Sequence, residues 1–199
     1  ASEVLKKTLY TGYIITLMLT LTPPLWALIR VSTRTTTVRT LLSRFSRFIL
    51  AISGCRLKIN GLDNIQSLGS AIFVANHASY LDVVVVLAAL PVNLRFAAKG
   101  RLTTYPVLKT AIPKAGYAVI EKTTLAEQVA GADEVSVSLA TGESMFIFPE
   151  GTFVRTPGLL PFRLGAFRAA AESGRPLVPV TLSGTRQIFP ADSLLLNPG

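Results

Sequence analysis

Five short apolar runs, separated by longer segments of helical character, constrain the fold of the chain from about residue 58 onwards. The runs are "AIFVAN" (71–76), "LRFAAK" (94–99), "YAVIE" (117–121), "SMFIFP" (144–149) and "LVPVTL" (177–182). Helical candidates lie between them, at about 80–90, 103–112, 124–140 and 163–173. This alternation predicts an α/β fold with a mixed, largely parallel sheet flanked by helices. Functional residues are expected beyond the carboxyl ends of the strands.

An uncharged apolar segment precedes this part of the chain. Residues 8–29, "TLYTGYIITLMLTLTPPLWALI", are 22 residues without a charge, about the length that crosses the hydrocarbon core of a bilayer. Pro23 and Pro24 each lack a backbone N–H group, so we expect them to break or sharply kink a helix. The segment is predicted either to span a membrane or to bend and dip into one leaflet.

The next segment, residues 37–52, has the helical spacing of an amphipathic element. Its apolar residues recur at i, i+3, i+4 and i+7, which places its arginines and Ser43 on the opposite side. The pattern predicts a basic helix lying on a membrane, or a helix packed on the folded domain with a solvated basic face. We expect residues 1–57 to form a membrane-associating element and residues 58–199 the α/β domain, with a further strand beyond "LLLNPG" in a longer protein.

Charge separates the two parts of the chain and indicates the kind of partner. Residues 1–60 hold nine Lys/Arg against Glu3 alone, whereas residues 61–199 hold eleven Lys/Arg against ten Asp/Glu. A basic excess that flanks an apolar segment favours an anionic membrane surface and argues against nucleic acid. The predicted surface comprises Arg30, Arg34, Arg39, Arg44 and Arg47. A basic flank of this kind stays in the cytoplasm, so we expect the α/β domain on the cytoplasmic face of the cytoplasmic membrane.

The only histidine of the chain, His77, follows the first predicted strand in "ANHASYLD". Residues five apart on one helix diverge by about 140°, so His77 can meet Asp82 only from the loop before the helix. Ser79 is a plausible N-cap, with Asp82 three residues later, which gives Asp82 a purely structural alternative as a capping carboxylate. If the pair is catalytic, the imidazole accepts a hydroxyl proton and the carboxylate fixes its tautomer.

A second candidate site follows the fourth predicted strand in "FPEGTFVR", residues 148–155. Pro149 and Gly151 predict a tight turn that presents Glu150, Thr152 and Arg155, with backbone amides near Gly151 facing an anion. The alternative is an ordinary loop with a surface ion pair. We find no cluster of metal ligands in the sequence, and the single Cys55 excludes an intrachain disulfide.

Together these motifs resemble those of the 1-acyl-sn-glycerol-3-phosphate acyltransferase family. "NHASYLD" is similar to its NHx4D motif and "FPEGTFVR" to its FPEGTRSR motif, while "GYAVIEK" (116–122) and "LVPVTLSG" (177–184) resemble two weaker blocks. The resemblance implies transfer of a fatty acyl group from acyl-CoA or acyl-carrier protein to the sn-2 hydroxyl of lysophosphatidic acid, without a covalent acyl-enzyme. Because the sequence shows no metal-ligand set, we predict no metal requirement and no other cofactor. The resemblance further implies a glycerolipid acyltransferase-like fold, and residues 8–52 look like the interfacial two-helix element of some members.

The resemblance also implies roles for individual residues. His77 is the expected general base and Asp82 its orienting partner. The expected substrate-binding residues are Asn76, Glu150, Gly151 and Thr152, with Lys99, Lys122 and Arg155 supplying positive charge to the acceptor phosphate.

Two departures from the family motifs leave the acceptor open. Phe153 stands where FPEGTRSR has its first arginine, and Lys122 stands where the family usually has arginine. A lysine lacks the bidentate fork with which arginine holds a phosphate. Another lysophospholipid or a lyso-ornithine lipid therefore remains an alternative acceptor. A membrane-bound thioester hydrolase and a non-catalytic lipid-binding module are the rival functions.

Overall fold

A five-stranded parallel sheet lies at the centre of the protein. The computed structural model describes residues 2–90, 94–120, 142–191 and 193–198. The strands are β1 (Ile72–Ala75), β2 (Leu94–Lys99), β3 (Ala118–Ile120), β4 (Ser144–Ile147) and β5 (Leu177–Val180). Their order is β3-β2-β4-β1-β5, and each neighbouring pair is parallel. The predicted α/β fold is confirmed, but the described sheet is wholly parallel where a mixed one was predicted.

Helices flank this sheet and precede it. They are α1 (Ser2–Val31), α2 (Thr35–Ile52), α3 (Asp63–Gln66), α4 (Leu81–Ala89), α5 (Pro106–Lys114), α6 (Gly165–Ser173) and α7 (Thr185–Ile188), with a 3-10 turn at Gly100–Thr104. The helices predicted at about 80–90, 103–112 and 163–173 correspond to α4, α5 and α6. The helix predicted at 124–140 lies outside the described residues.

Strand β1 is the best buried element, which explains its unbroken apolar sequence. All four of its residues are buried. Phe73 and Ala75 pack in one hydrophobic cluster, whereas Ile72 and Val74 pack in a second. Successive side chains of a strand point to opposite faces, so both faces of the sheet are covered at β1, as is usual in parallel sheets.

The two prolines of the apolar segment do not end its helix. α1 continues through Pro23 and Pro24 to Val31, so the expected break is wrong. Beyond the prolines, Leu25 and Ile29 are buried against Val38 of α2 and against α5. We attribute the continuation of the helix to this packing, because tertiary contacts override the local preference of a residue.

Helix α1 has the length and exposure of a membrane-associated helix. It is the one described helix that is long and apolar enough to cross a bilayer. Core helices of soluble proteins meet the same criterion, but they are mostly buried, whereas 11% of the most apolar window of α1 is buried. Its exposed apolar side chains include Leu9, Ile15 and Leu19.

The amino-terminal helices pack on the α/β part of the chain. Trp26 donates a hydrogen bond from Nε1 to the Thr110 hydroxyl at 3.1 Å, and Lys114 Nζ donates to the carbonyl oxygen of Ser32 at 2.8 Å. With the hydrophobic cluster shared by α1, α2 and α5, these contacts join the two predicted parts. The domain boundary predicted at residue 57 stays a prediction.

The basic side of α2 is not the free surface that its sequence predicts. Arg39 is only 3% exposed, donates from Nε to the carbonyl oxygen of Ala115 at 2.7 Å, and pairs with the Glu143 carboxylate at 2.7 Å. Arg47 donates from Nε to the carbonyl oxygen of Ala88 at 2.7 Å. The inclusion of Arg39 in a membrane-binding surface is therefore wrong. Arg30, Arg34, Arg44 and Arg47 are exposed.

Replacing Arg39 by methionine is expected to lower the free energy of unfolding by about 2 kcal/mol. The change leaves Glu143 with Arg95, at 3.2 Å, as its remaining described ion-pair partner, and leaves the Ala115 carbonyl oxygen without its donor. Arg44→Met is the matched control, because Arg44 lies on the same helix and is exposed. Urea unfolding in detergent measures both variants, and equal stabilities would contradict the anchoring role of Arg39.

Candidate active site

The candidate catalytic residues lie beyond the carboxyl ends of three neighbouring strands. β4, β1 and β5 are adjacent in the sheet. His77 follows β1, Glu150 follows β4 and Leu182 follows β5, so parallel pairing brings the three loops together at one edge. This is the edge at which open α/β sheets hold their ligands.

His77 and Asp82 form a hydrogen-bonded pair. His77 lies in the loop before α4, and Asp82 is the second residue of that helix. The distance from Nδ1 of His77 to Oδ2 of Asp82 is 2.8 Å. Because Asp82 occupies Nδ1, Nε2 is the ring nitrogen that remains for a substrate proton. The pair therefore has the arrangement that a histidine base and its orienting carboxylate require.

The Asp82 carboxylate also organises the loop that carries the histidine. Its Oδ2 accepts hydrogen bonds from the amides of Ala78 and Ser79, at 2.6 and 2.9 Å. The Ser79 hydroxyl accepts from the amide of Leu81 at 3.1 Å and donates to the carbonyl oxygen of Phe189 at 2.7 Å. Asp82 thus acts both as the predicted capping carboxylate and as the partner of His77.

Asp82 is fully buried and its pKa is lowered. Burial by itself raises the pKa. Hydrogen bonds from His77, interaction with the Thr185 hydroxyl and the amides of Ala78 and Ser79 outweigh that effect. Among the described residues, neither Oγ1 of Thr185 nor Oδ1 of Asp82 makes a hydrogen bond of ordinary geometry. The carboxylate is therefore ionised at neutral pH.

The Glu150 carboxylate is buried and holds the backbone of two loops. Its Oε1 accepts from the amide of His77 at 2.6 Å, and its Oε2 accepts from the amide of Leu160 at 2.7 Å. Both oxygens are thus occupied by the protein, so Glu150 positions the histidine loop. The substrate-binding role of this side chain stays a prediction.

Asn76 likewise bonds to the protein. Its Nδ2 donates to the carbonyl oxygen of Leu182 at 2.9 Å, and its Oδ1 accepts from the amide of the same residue at 2.8 Å. These two bonds join the loop after β1 to the loop after β5. The contact of Asn76 with a substrate stays a prediction.

Gly151 forms the turn that the sequence predicts, but its amide is used within that turn. Its φ angle is +67°, in the left-handed region that favours glycine. The amide donates to the carbonyl oxygen of Phe148 at 2.9 Å. This amide is therefore not free for an anion, and the expectation that amides near Gly151 face one stays a prediction for its neighbours.

The comparisons with known proteins agree with the resemblance of the motifs. The family model described as Acyltransferase matches residues 56–183 of the chain. The chain belongs to this acyltransferase family.

Named relatives of this acyltransferase include plant and animal proteins. A chloroplastic 1-acyl-sn-glycerol-3-phosphate acyltransferase of Brassica napus is 36% identical over 143 residues, 71% of this chain and 41% of the relative. The human 1-acyl-sn-glycerol-3-phosphate acyltransferase alpha is 28% identical over 137 residues, 68% of this chain and 48% of the relative. The chain thus spans less than half the length of these relatives.

A solved structure shares the fold of this acyltransferase. The crystal structure of the 1-acyl-sn-glycerophosphate acyltransferase PlsC from Thermotoga maritima matches with a TM-score of 0.77 at 22% identity. The match covers 100% of this chain and 81% of the other. The likeness extends through the amino-terminal helices as well as the sheet.

The remaining predicted residues of the acyltransferase site have different outcomes. Thr152 and Arg155 are exposed beside the Gly151 turn, and their contacts with substrate stay predictions. Lys99 is the last residue of β2, at the carboxyl end of a strand that neighbours β4. Its contact with a substrate stays a prediction. Lys122 lies outside the described residues.

Sequence reasoning missed the aromatic surroundings of the acyltransferase histidine. Phe148 stacks on the imidazole with ring centroids 4.0 Å apart and an interplanar angle of 17°. Phe153 approaches the same ring edge-on at 4.5 Å, and Tyr80 packs on Phe153 at 4.7 Å. These rings leave His77 with 14% of its side chain exposed. One feature of the sequence could have indicated these rings. Phe153 stands where the family motif has arginine, which places an aromatic ring within the second motif.

Proposed function

We propose that this acyltransferase moves a fatty acyl group from acyl-CoA or acyl-carrier protein to the sn-2 hydroxyl of lysophosphatidic acid, forming phosphatidic acid in phospholipid biosynthesis. The observation that carries the proposal is the His77–Asp82 pair at 2.8 Å, at the carboxyl edge of a sheet with the acyltransferase fold. The names of the plant and animal relatives support the choice of acceptor.

In this mechanism His77 acts as general base and then as general acid. Nε2 removes the proton of the acceptor hydroxyl while that oxygen attacks the thioester carbonyl carbon. The tetrahedral intermediate collapses, the C–S bond breaks, and the imidazolium returns the proton to the leaving thiolate. Asp82 stabilises the imidazolium through Nδ1. The site needs no covalent acyl-enzyme, and we propose that it needs no metal or other cofactor.

We further propose that the site works at the cytoplasmic face of the cytoplasmic membrane. Helix α1 supplies an exposed apolar surface, and Arg30, Arg34 and Arg44 supply charge for anionic lipid. Near the site, Leu159, Phe162 and Leu164 are 66%, 44% and 77% exposed. Leu160, within the same segment, is bonded to Glu150, so these apolar side chains lie close to the catalytic pair. A lysolipid can therefore reach His77 without leaving the interface.

Acyl transfer by purified protein tests the proposed reaction. Radiolabelled acyl-CoA and acyl-carrier protein are supplied in separate assays with lysophosphatidic acid, and phosphatidic acid is separated from free fatty acid. We expect phosphatidic acid from at least one donor, with the same rate in chelator. No phosphatidic acid from either donor would overturn the proposal, and a product from lyso-ornithine lipid or another lysophospholipid would then identify the alternative acceptor.

The same assay separates the rival functions. A thioester hydrolase releases the label as free fatty acid even when the acceptor is abundant. A non-catalytic lipid-binding module yields neither product but binds anionic vesicles in a salt-sensitive manner. Either result in the wild-type protein excludes the proposed transfer.

A further inference from the structure

The described contacts of His77 are with two carboxylates and with aromatic rings. Asp82 bonds to the imidazole, and Glu150 bonds to the His77 amide. Phe153 packs against the ring on the side that the second motif provides. A phosphate monoester carries about two negative charges at neutral pH. An acceptor with this group is repelled by the two carboxylates unless a nearby cation compensates.

Arg163 brings a guanidinium to the turn next to Glu150. The Arg163 amide donates to the carbonyl oxygen of Pro149 at 2.9 Å, and the amide of Leu160 donates to the Glu150 carboxylate at 2.7 Å. Residues 160–163 are thereby fixed at both ends against the turn that contains Gly151. The position of Arg163 relative to the turn is therefore set by one backbone hydrogen bond and by one bond from the backbone to the Glu150 carboxylate.

The Arg163 side chain lies directly across Gly151. A Cβ atom built on Gly151 would be 2.7 Å from Nε of Arg163, 3.2 Å from Cζ and 3.3 Å from Cδ. Any side chain at position 151 would therefore displace the arginine. The glycine serves two purposes here, since it adopts the positive φ of the turn and leaves room for the guanidinium.

This guanidinium has no ion-pair partner among the described residues. Both oxygens of Glu150, which precedes Gly151 in the turn, are bonded to backbone amides. In contrast, Arg168 on α6 pairs with Glu172 at 3.3 Å. The Arg163 side chain is exposed, so its charge is available to an anion that enters from solvent or from a lipid surface.

We propose that Arg163 binds the phosphate of the acceptor lipid, in place of the cation that Phe153 does not supply. The planar guanidinium donates two parallel N–H bonds to phosphate oxygens and so holds the lysolipid with its hydroxyl towards Nε2 of His77. The inference rests on the proposed function. It adds to the predicted phosphate-binding residues one that the motif resemblance did not indicate.

Steady-state kinetics of Arg163→Gln and Arg163→Lys test the assignment. We expect Arg163→Gln to raise KM for lysophosphatidic acid about tenfold or more, because a charge-assisted bidentate contact is lost. The expected change in kcat is less than about threefold. Arg163→Lys should fall between the wild type and Arg163→Gln. Arg168→Gln is the matched control, because Arg168 is also exposed and follows Arg163 closely in the chain. It should leave KM for lysophosphatidic acid unchanged.

The donor also carries phosphates, so its KM is measured for every variant. We expect KM for acyl-CoA to stay within about twofold of the wild-type value. If Arg163→Gln raises KM for acyl-CoA and not for lysophosphatidic acid, the arginine binds the donor and the proposal is wrong. Equal KM values for Arg163→Gln and Arg168→Gln would also overturn it.

A second substitution restores the charge from another position. In the Phe153→Arg, Arg163→Gln double variant we expect KM for lysophosphatidic acid to return at least halfway, on a logarithmic scale, to the wild-type value. Absence of recovery in a folded double variant with measurable kcat counts against a shared phosphate site. Wild-type protein that makes no phosphatidic acid would overturn the proposed function itself. Active wild type with an unaffected Arg163→Gln variant would overturn this inference alone.

Discussion

The His77→Ala variant is expected to lose at least about 10²–10⁴-fold in kcat for acyl transfer, because the hydroxyl proton has no other acceptor at that position. His77 is the only histidine of the chain, so no second imidazole can replace it. The hydrogen bond from the His77 amide to Glu150 does not involve the side chain and should survive the change. The measurement is single-turnover formation of phosphatidic acid from labelled donor.

The fold of the variant must be shown to persist. Far-UV circular dichroism and the urea unfolding midpoint, measured in the same detergent, provide that control. We expect a modest loss of stability, since the imidazole contacts Asp82, Phe148 and Phe153. Transfer within about threefold of wild type by a folded His77→Ala protein would refute the general-base mechanism.

The Asp82→Asn variant is expected to lower kcat by about 10²–10⁴-fold, although the shape of the side chain is almost unchanged. The carboxylate accepts from Nδ1 and so fixes the tautomer that leaves Nε2 free to accept. The amides of Ala78 and Ser79 donate to the same oxygen and keep the side-chain oxygen of the variant towards Nδ1, so the tautomer is retained, but the neutral amide lacks the charge that stabilises the imidazolium. Asp63→Asn is the matched control, because Asp63 is exposed on α3 and should leave the rate unchanged.

The same variant should change stability in a pH-dependent manner. The pKa of Asp82 is lowered in the folded protein, so its contribution to stability is complete above the unfolded value of about 3.9 and decreases as pH falls through the folded pKa. We expect Asp82→Asn to lower the free energy of unfolding by about 1–3 kcal/mol at pH 7 and by less at pH 3. A difference that grows on acidification would contradict the assignment of the lowered pKa.

The strands were predictable because a strand that is buried on both faces has a nearly continuous run of apolar residues. Unbroken apolar runs such as 71–76 and 144–149 have no polar face to maintain, and turn residues mark their ends. The predicted runs contain the observed β1 and β4, with errors of one or two residues at the ends. The meeting of His77 with Asp82 was likewise predictable, since it depends on residues five apart and on one helix start.

Long-range polar contacts could not be predicted in this way. The pattern of α2 predicts that Arg39 lies opposite the apolar side of the helix. It does not predict that Glu143, far along the chain, pairs with Arg39 there. Similarly, Glu150 appears in the sequence as an acid in a turn. Its bonds to the amides of His77 and Leu160 depend on the packing of separate loops. The continuation of α1 through Pro23 and Pro24 also depends on long-range packing, because contacts with α2 and α5 fix the helix beyond the prolines.

The position of β1 in the sheet has a consequence for how the protein is made. β1 is the first strand in the chain, yet its two neighbours, β4 and β5, are the last two described strands. During synthesis the backbone edges of β1 therefore stay without these hydrogen-bond partners until the residues of β4 and β5 have been made. The His77 loop follows β1 directly, and its bonds to Glu150 and Leu182 form only then. The apolar residues 71–76 are thus made well before the strands that cover their edges, and the catalytic loop takes its final form only after β5 has been made.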